Sequence, residues 1–249
     1  MSRDEPFTRS GGAVRPLRLS RRSGARLLPD ERLTAILAAA RVVLAAKGYE
    51  NTVVADIAKE AGIVEGTIYR YFDNKRELLA KVAEIWFGEK LSEDSHVASI
   101  PDTRGKLRHL AVRTLSIIRS DPVLTRFILM EMRPDPNYRE SPFFELNRRF
   151  THDVVEVCQQ AIDRGEFSPD VAATLLRDMF FGCIEHRTWA FLRGEGEFSI
   201  EEVADGVADV ICRGMTARPP QPSDLEVVAT RLARLESLLA GAPWAKPAD

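Results

Sequence analysis

Between positions 52 and 75 the chain sets a group of hydrogen-bond donors at helical spacing: Thr52, Thr67, Tyr69, Arg70, Tyr71 and Lys75, with Gly66 among them. Their chemistry is recognition of a polyanion rather than bond breaking. A guanidinium at Arg70 can donate to both acceptors on the groove edge of a guanine. Thr67 and Tyr69 offer hydroxyls to base edges, and Tyr71 and Lys75 suit phosphate oxygens. Lys75 falls in the first turn of a following helix, whose free N–H groups also favour an anion. Gly66 has no side chain and lets the backbone approach a duplex closely. Two residues keep a second reading. Thr52 either caps the helix it precedes or reaches a phosphate; Tyr69 either faces the groove or packs on the first helix.

Such donors need rigid supports. Val53, Val54, Ile57, Ala58 and Ala61 recur at helical spacing, and Gly62 supplies the left-handed cap that ends their helix. Ile63, Ile68 and Phe72 form a second stripe, which predicts a recognition helix over 65–72. Helix, glycine turn, helix is the layout that puts a second helix in a DNA major groove. Ahead of it, Leu33, Ile36, Leu37, Ala40, Val43 and Leu44 trace the apolar face of a helix over 29–47, with Asp30 as its cap. Gly48 ends that helix, and Tyr49 is expected to fold back onto the bundle.

Thr52, Ile57-Ala58, Ala61-Gly62, Gly66-Thr67, Ile68-Tyr69, Tyr71-Phe72, Asn74-Lys75 and Leu78-Leu79 together resemble the DNA-binding signature of the TetR-type transcriptional regulators, over 33–79. The resemblance implies an all-α homodimer. Its N-terminal three-helix domain would carry the helix-turn-helix, and a larger C-terminal helical bundle would sense a small molecule and dimerise. It further implies that Phe72, Ile57 and Leu78 are core, that a helix from 74 relays the sensor's state, and that the last two helices of that domain pair with those of the partner. Two positions depart from the family pattern. Val64 stands where a small hydroxyl residue usually caps the recognition helix, and it cannot cap. Glu65 follows where a basic or polar residue is common. Its carboxylate suits the helix dipole but repels phosphate, so weaker backbone affinity and a contact to a cytosine amino group are both open.

Four segments follow from this reading. Residues 1–28 hold seven arginines against two acidic residues and no hydrophobic period. They read either as a disordered start or as an arm along the phosphates or minor groove, for which arginine's fork is suited. Residues 29–75 form the DNA-binding domain. Over 29–90 nine Lys and Arg face ten Asp and Glu, so a basic arm would supplement it. Residues 76–218 form the sensing and dimerising domain, with helices over 74–92, 103–120, 121–133, 142–164, 169–193 and 199–216. Residues 219–249 give a Pro-rich linker and a helix over 223–239. Leu225, Val228, Leu232, Leu235 and Leu239 make a coiled-coil-like seam there, too short to persist alone and expected to pack on its own domain or on the partner.

The sensor segment has no phosphate loop, no GxSxG and no paired metal motif. Glu93-x-x-His96 is single, whereas a di-iron bundle needs two such pairs, and His109, His152 and His186 share no ligand spacing. No catalytic residue, cofactor or metal is therefore expected. What remains is an apolar cage with a few polar groups, the composition of a small-molecule pocket. Its predicted lining is Phe127, Phe180, Ile184 and Trp189, with Glu131, His152 and His186 as polar anchors; Leu110, Thr114, Met130, Phe144, Phe150 and Glu185 are further candidates. Core or dimer packing is the simpler explanation for each of these. Residues 181–186 are similar to a helix in the family branch that responds to fatty acids or their coenzyme A thioesters. Arg113, Arg133, Arg148 and Arg149 could meet an acidic headgroup or simply face solvent.

The totals fit this. Hydrophobic residues at 45% and charged ones at 29% are ordinary for a globular chain. A net charge of −2 leaves DNA open, because only a local basic surface matters. Three separated cysteines read as reduced core residues, against a disulfide frame or a zinc site. The arginine-bearing start lacks an apolar h-region, and the apolar stretch 35–46 contains Arg41 and is too short to span a bilayer. The expectation is a cytoplasmic ligand-responsive regulator, a repressor released from a palindromic operator on double-stranded DNA by a small hydrophobic effector, with a fatty acyl-CoA as one candidate and no membrane partner. A dimeric DNA-binding regulator without an effector is the alternative; a helical enzyme or carrier with an incidental helix-turn-helix is a third reading.

Overall fold

A computed structural model describes residues 29–92, 96–216 and 224–240. The arginine-rich arm, Glu93 and the Pro-rich linker lie outside these residues. The fold is all-α, with no strand among the described residues. Its helices are α1 (Pro29–Asn51), α2 (Val54–Ala61), α3 (Glu65–Ile68), α4 (Lys75–Ser92), α5 (Thr103–Ser120), α6 (Pro122–Phe127), α7 (Pro142–Asp163), α8 (Ala173–Leu192), α9 (Ile200–Met215) and α10 (Asp224–Ala240).

Local chemistry sets half of the starts. Asp102 accepts from the Gly105 amide at 2.8 Å to cap α5. Asp121 accepts from Leu124 at 3.0 Å to cap α6, whose first turn carries Pro122. Ser141 does the same for α7 and Ser199 for α9. Asn74 accepts from the Glu77 amide at 2.9 Å, while Glu77 reaches back to the Asp73 amide at 2.7 Å, so the first turn of α4 is fixed from both sides.

Several expected boundaries shift. Asp30 lies inside the first turn of α1 rather than at its cap. Gly48, non-helical at φ 72°, interrupts α1 where its end was expected, and a short further turn carries the span to Asn51. The helix predicted over 121–133 stops at Phe127 and widens into a π-helical turn, Ile128–Met132, closed by the Arg133 amide on the Ile128 carbonyl at 3.0 Å. Such turns concentrate at functional sites.

Two buried clusters hold the molecule. One joins Ile36, Leu44, Ile57, Ile68, Phe72 and Leu78 to Trp86, Phe127 and Phe143. Its packing runs without a break from the helix-turn-helix through α4 into α6 and α7. Tyr49, which folds back as expected, stacks on Phe127 with ring centroids 4.9 Å apart. The other cluster gathers α5, α7, α8 and α9 around Leu107, Val154, Phe180, Ile184 and Val207. Arg104 bridges α5 to Asp205 at 2.8 Å and Asp209 at 2.5 Å on α9. Being exposed, these pairs fix register more than they stabilise.

One expectation fails here, and one of two alternatives for another is removed. Cys158 is buried, and burial pushes its thiol up to about 12, but Cys183 is exposed on α8. In α10 every described side chain from Val228 to Leu238 is exposed, so that helix does not bury its seam on its own domain.

Candidate nucleic-acid interface and sensor cavity

The donor group of 52–75 is carried on a short, firmly seated turn. Only Glu65–Ile68 is α-helical, one turn against the predicted 65–72. The chain then tightens, with Arg70 donating to Thr67 at 3.3 Å, Tyr71 to Ile68 at 2.9 Å and Phe72 to Ile68 at 3.1 Å. Val64 sits at the cap position and makes no side-chain cap bond, as its side chain dictates. Ile68 and Phe72 are buried at 1% and 6% exposure and seat it in the first cluster from beneath.

Above them, Gly66, Tyr69 and Arg70 point outward, and Thr67 is half-buried. Tyr69 is 50% exposed with its hydroxyl 3.5 Å from Glu65, so it does not pack on the first helix. No carboxylate among the described residues lies within ion-pair distance of Arg70. A Cβ added at Gly66 would meet nothing within 4 Å, so the fold itself does not require glycine there. Tyr71 is half-buried against the first cluster.

Thr52 and Lys75 are placed differently from the sequence reading. Thr52 is 0% exposed, and its hydroxyl donates to the Gly48 carbonyl at 2.7 Å. Val53 takes the cap position of α2 without a side-chain bond. Thr52 therefore neither caps nor presents a hydroxyl to phosphate; it closes the kink that Gly48 opens. Lys75 turns inward, donating to the Tyr49 carbonyl at 2.9 Å with its ammonium 4.3 Å from the Tyr49 ring centroid. Its position ties α1 to α4.

α4 leaves this turn and runs into the bundle, where Trp86 and Phe87 form a wall of a cavity of about 120 Å³. The remaining walls come from α5, α6, the π-helical turn, α7 and α8. Of the predicted lining residues only Ile184 borders it and none of the three polar anchors does, while Thr114, Phe150, Glu185 and Arg133 join from the wider set. Phe180 is core, and Trp189 packs against the same cluster. His152 and His186 are exposed. Phe127 and Glu131 face a separate cleft of about 520 Å³ between the end of α1, α6 and the end of α8. The missed residues include Trp86 and Phe87 on the connector, Ile117 and Ile118 on α5, Phe143, Asn147 and Thr151 on α7, and Thr125, Ile128 and Leu129 about the π-helical turn. The irregular turn is not marked by any glycine or proline, so no local signal reveals it.

On its opposite side the π-helical turn holds α4. Arg76 pairs with Asp135 and donates to the Glu131 carbonyl at 2.5 Å. The Asn137 amide, and then the Arg76 guanidinium, hold the Asp135 carboxyl below its ordinary range, so the clamp stays charged at neutral pH. Along α8 and α9 a further groove, about 500 Å³, runs between Met179 and Val210. Leu175, Met179 and Val210 are 52%, 54% and 69% exposed on that face.

A seated turn with outward donors, joined by one helix to a bundle with an apolar cavity, defines a helix-turn-helix DNA-binding regulator with an appended sensor-type domain. Residues 36–82 match the bacterial regulatory proteins of the tetR family, and residues 101–215 match a tetracyclin repressor-like C-terminal domain. The chain is 32% identical over 152 residues to the uncharacterized HTH-type transcriptional regulator YfiR of Bacillus subtilis, covering 56% of this chain and 70% of YfiR. To the fatty acid metabolism regulator protein of Bacillus subtilis it is 25% identical over 183 residues, 72% of this chain and 93% of that one. The fold is that of FadR from Bacillus subtilis in complex with stearoyl-CoA, at TM-score 0.62 and 23% identity over 73% of this chain and 98% of that one. It is also that of AibR in complex with isovaleryl coenzyme A and operator DNA, at TM-score 0.57 and 22% identity over 72% of this chain and 97% of that one. The chain belongs to the tetR family of transcriptional regulators.

Proposed function

We propose that this regulator is a repressor, binding a palindromic operator as a homodimer and leaving it when a small acyl effector enters the α4-walled cavity. One observation carries the reading: α4 starts at the recognition turn and ends as a wall of the cavity. An effector that favours one position of Trp86 and Phe87 thereby favours one placement of Gly66, Tyr69 and Arg70. It can shift DNA affinity only by its own differential affinity for the two placements. The acyl-CoA complexes of FadR and AibR support this class of effector, and a protein acting on operators works where the chromosome lies, in the cytoplasm.

In this reading Gly66, Thr67, Tyr69 and Arg70 meet the groove and Tyr71 the phosphates, while Thr52 and Lys75 act by holding the turn. Gly66 separates DNA contact from folding cleanly. Gly66→Ala is expected to keep or raise the melting temperature, since alanine is favoured over glycine in a helix by roughly 0.5–1 kcal/mol. Operator binding should nevertheless weaken in an electrophoretic shift, because the new methyl group stands where the duplex approaches. Equal operator binding by the variant would remove Gly66 from the interface.

The exposed Leu175, Met179 and Val210 support α8 and α9 as the dimer face, a four-helix bundle with the partner. Val210→Asp is expected to yield a folded monomer in sedimentation and to abolish operator binding at concentrations where the parent is saturated. A dimeric Val210→Asp protein would place the interface elsewhere.

A further inference from the structure

The cavity's size and its one stranded hydroxyl say more about the effector than its hydrophobicity does. Its volume is about 120 Å³. An apolar protein cavity of about 150 Å³ holds one benzene, so this one has room for an apolar group of about four to six carbons. Four of its lining rings pack on one another: Phe87 lies 5.1 Å from Phe143 and 5.2 Å from Phe150, and Phe150 lies 5.9 Å from Phe181. A long fatty-acyl chain needs several times the space and would have to displace this cluster.

Among the lining hydroxyls, Thr114 is satisfied, donating to the Leu110 carbonyl at 2.8 Å. Thr125 is not. It is 7% exposed, and its Oγ1 is buried with no partner. A buried hydroxyl without a partner is unfavourable in a finished fold, and a ligand acceptor in the cavity would relieve it. Arg133, 43% exposed, also lines the cavity and pairs with Glu185 at 2.8 Å. It offers a cation where an anionic group would emerge.

We infer that the effector buries a short acyl group, of about four to six carbons, whose carbonyl accepts a hydrogen bond from Thr125 and whose anionic end leaves past Arg133. This rests on the reading of the cavity as the sensor. Either a short carboxylic acid or its coenzyme A thioester carries that chemistry.

Calorimetry on the full chain would use acetyl-, butyryl-, hexanoyl-, dodecanoyl- and stearoyl-CoA and the matching free acids. Affinity is expected to peak at butyryl or hexanoyl and to fall by about tenfold or more at dodecanoyl. Stronger binding of the thioesters assigns the source to coenzyme A, equal binding of the acids to the free carboxylate, and both uphold the inference. Affinity that climbs steadily to stearoyl-CoA overturns it while leaving the sensor reading intact; no binding by any probe overturns both.

Thr125→Val keeps the side-chain volume and removes the donor. The free protein should melt at the same temperature or higher, since the stranded hydroxyl is gone. The preferred ligand should bind about five- to tenfold more weakly. A stable Thr125→Val protein with unchanged affinity overturns the carbonyl contact.

Discussion

Arg70→Ala is expected to lose most of the protein's ability to tell its operator from other duplexes. Arg70 is exposed on the recognition turn, without a carboxylate in ion-pair reach among the described residues. Its guanidinium is therefore available to a base edge without first breaking an internal contact. A bidentate contact to guanine is worth roughly 1–3 kcal/mol of discrimination, about five- to 150-fold, and a dimer loses two of them. Affinity for scrambled duplex should change far less. Arg70→Lys should not rescue, because lysine keeps the charge but not the fork. Fluorescence anisotropy on matched and scrambled duplexes reads both quantities. Equal loss on the two duplexes would reassign Arg70 to the phosphates.

Breaking the Arg76 clamp should uncouple effector from operator. Arg76 stands one residue into α4 and is fastened to Asp135 and the Glu131 carbonyl on the far side of the π-helical turn, which itself lines the cavity through Ile128 and Leu129. A ligand that moves this turn moves α4 through that fastening. Arg76→Ala leaves the groove-facing donors in place, so operator binding without effector should persist. The effector's influence on operator affinity, typically about five- to 150-fold in coupled systems, should shrink toward none. Asp135→Asn should follow in the same direction but less far, since the carbonyl contact remains. Titrating operator with and without the preferred effector measures the coupling directly. An Arg76→Ala protein that is still fully released would locate the relay in the Trp86 and Phe87 wall alone.

Much of this was legible in the residues because the signals were local. Asp102, Asp121, Ser141 and Ser199 cap helices within three residues of themselves, and the starts they imply are those observed. The outward placement of Gly66, Tyr69 and Arg70 follows from Ile68 and Phe72 facing in. The misplaced residues have different causes. Thr52 is decided locally, because its hydroxyl takes the carbonyl of Gly48 four residues back at 2.7 Å. Lys75 has a plain phosphate-binding context in sequence, but the return of Tyr49 gives its ammonium a carbonyl and a ring.

The cavity was read least well. Phe180 and Trp189 are as apolar as Trp86 and Phe87, and only the packing of α4 against α7 decides which of them meet empty space. His152 and His186 fall on helix faces that turn to solvent, where their chemistry has nothing to act on. The exposed seam of α10 shows the same limit from the other side. Its period is clear in the sequence, but a period does not name the surface that would cover it.

In the proposed function two copies of the turn around Arg70 enter one duplex side by side and withdraw together. Footprinting the full chain on genomic fragments that it retains at low ionic strength tests this most directly. Two protected, inversely related half-sites are expected, with protection lost in the Arg70→Ala protein and lost again when a short acyl effector is added. A single asymmetric footprint, or retention of no duplex at all, would contradict it.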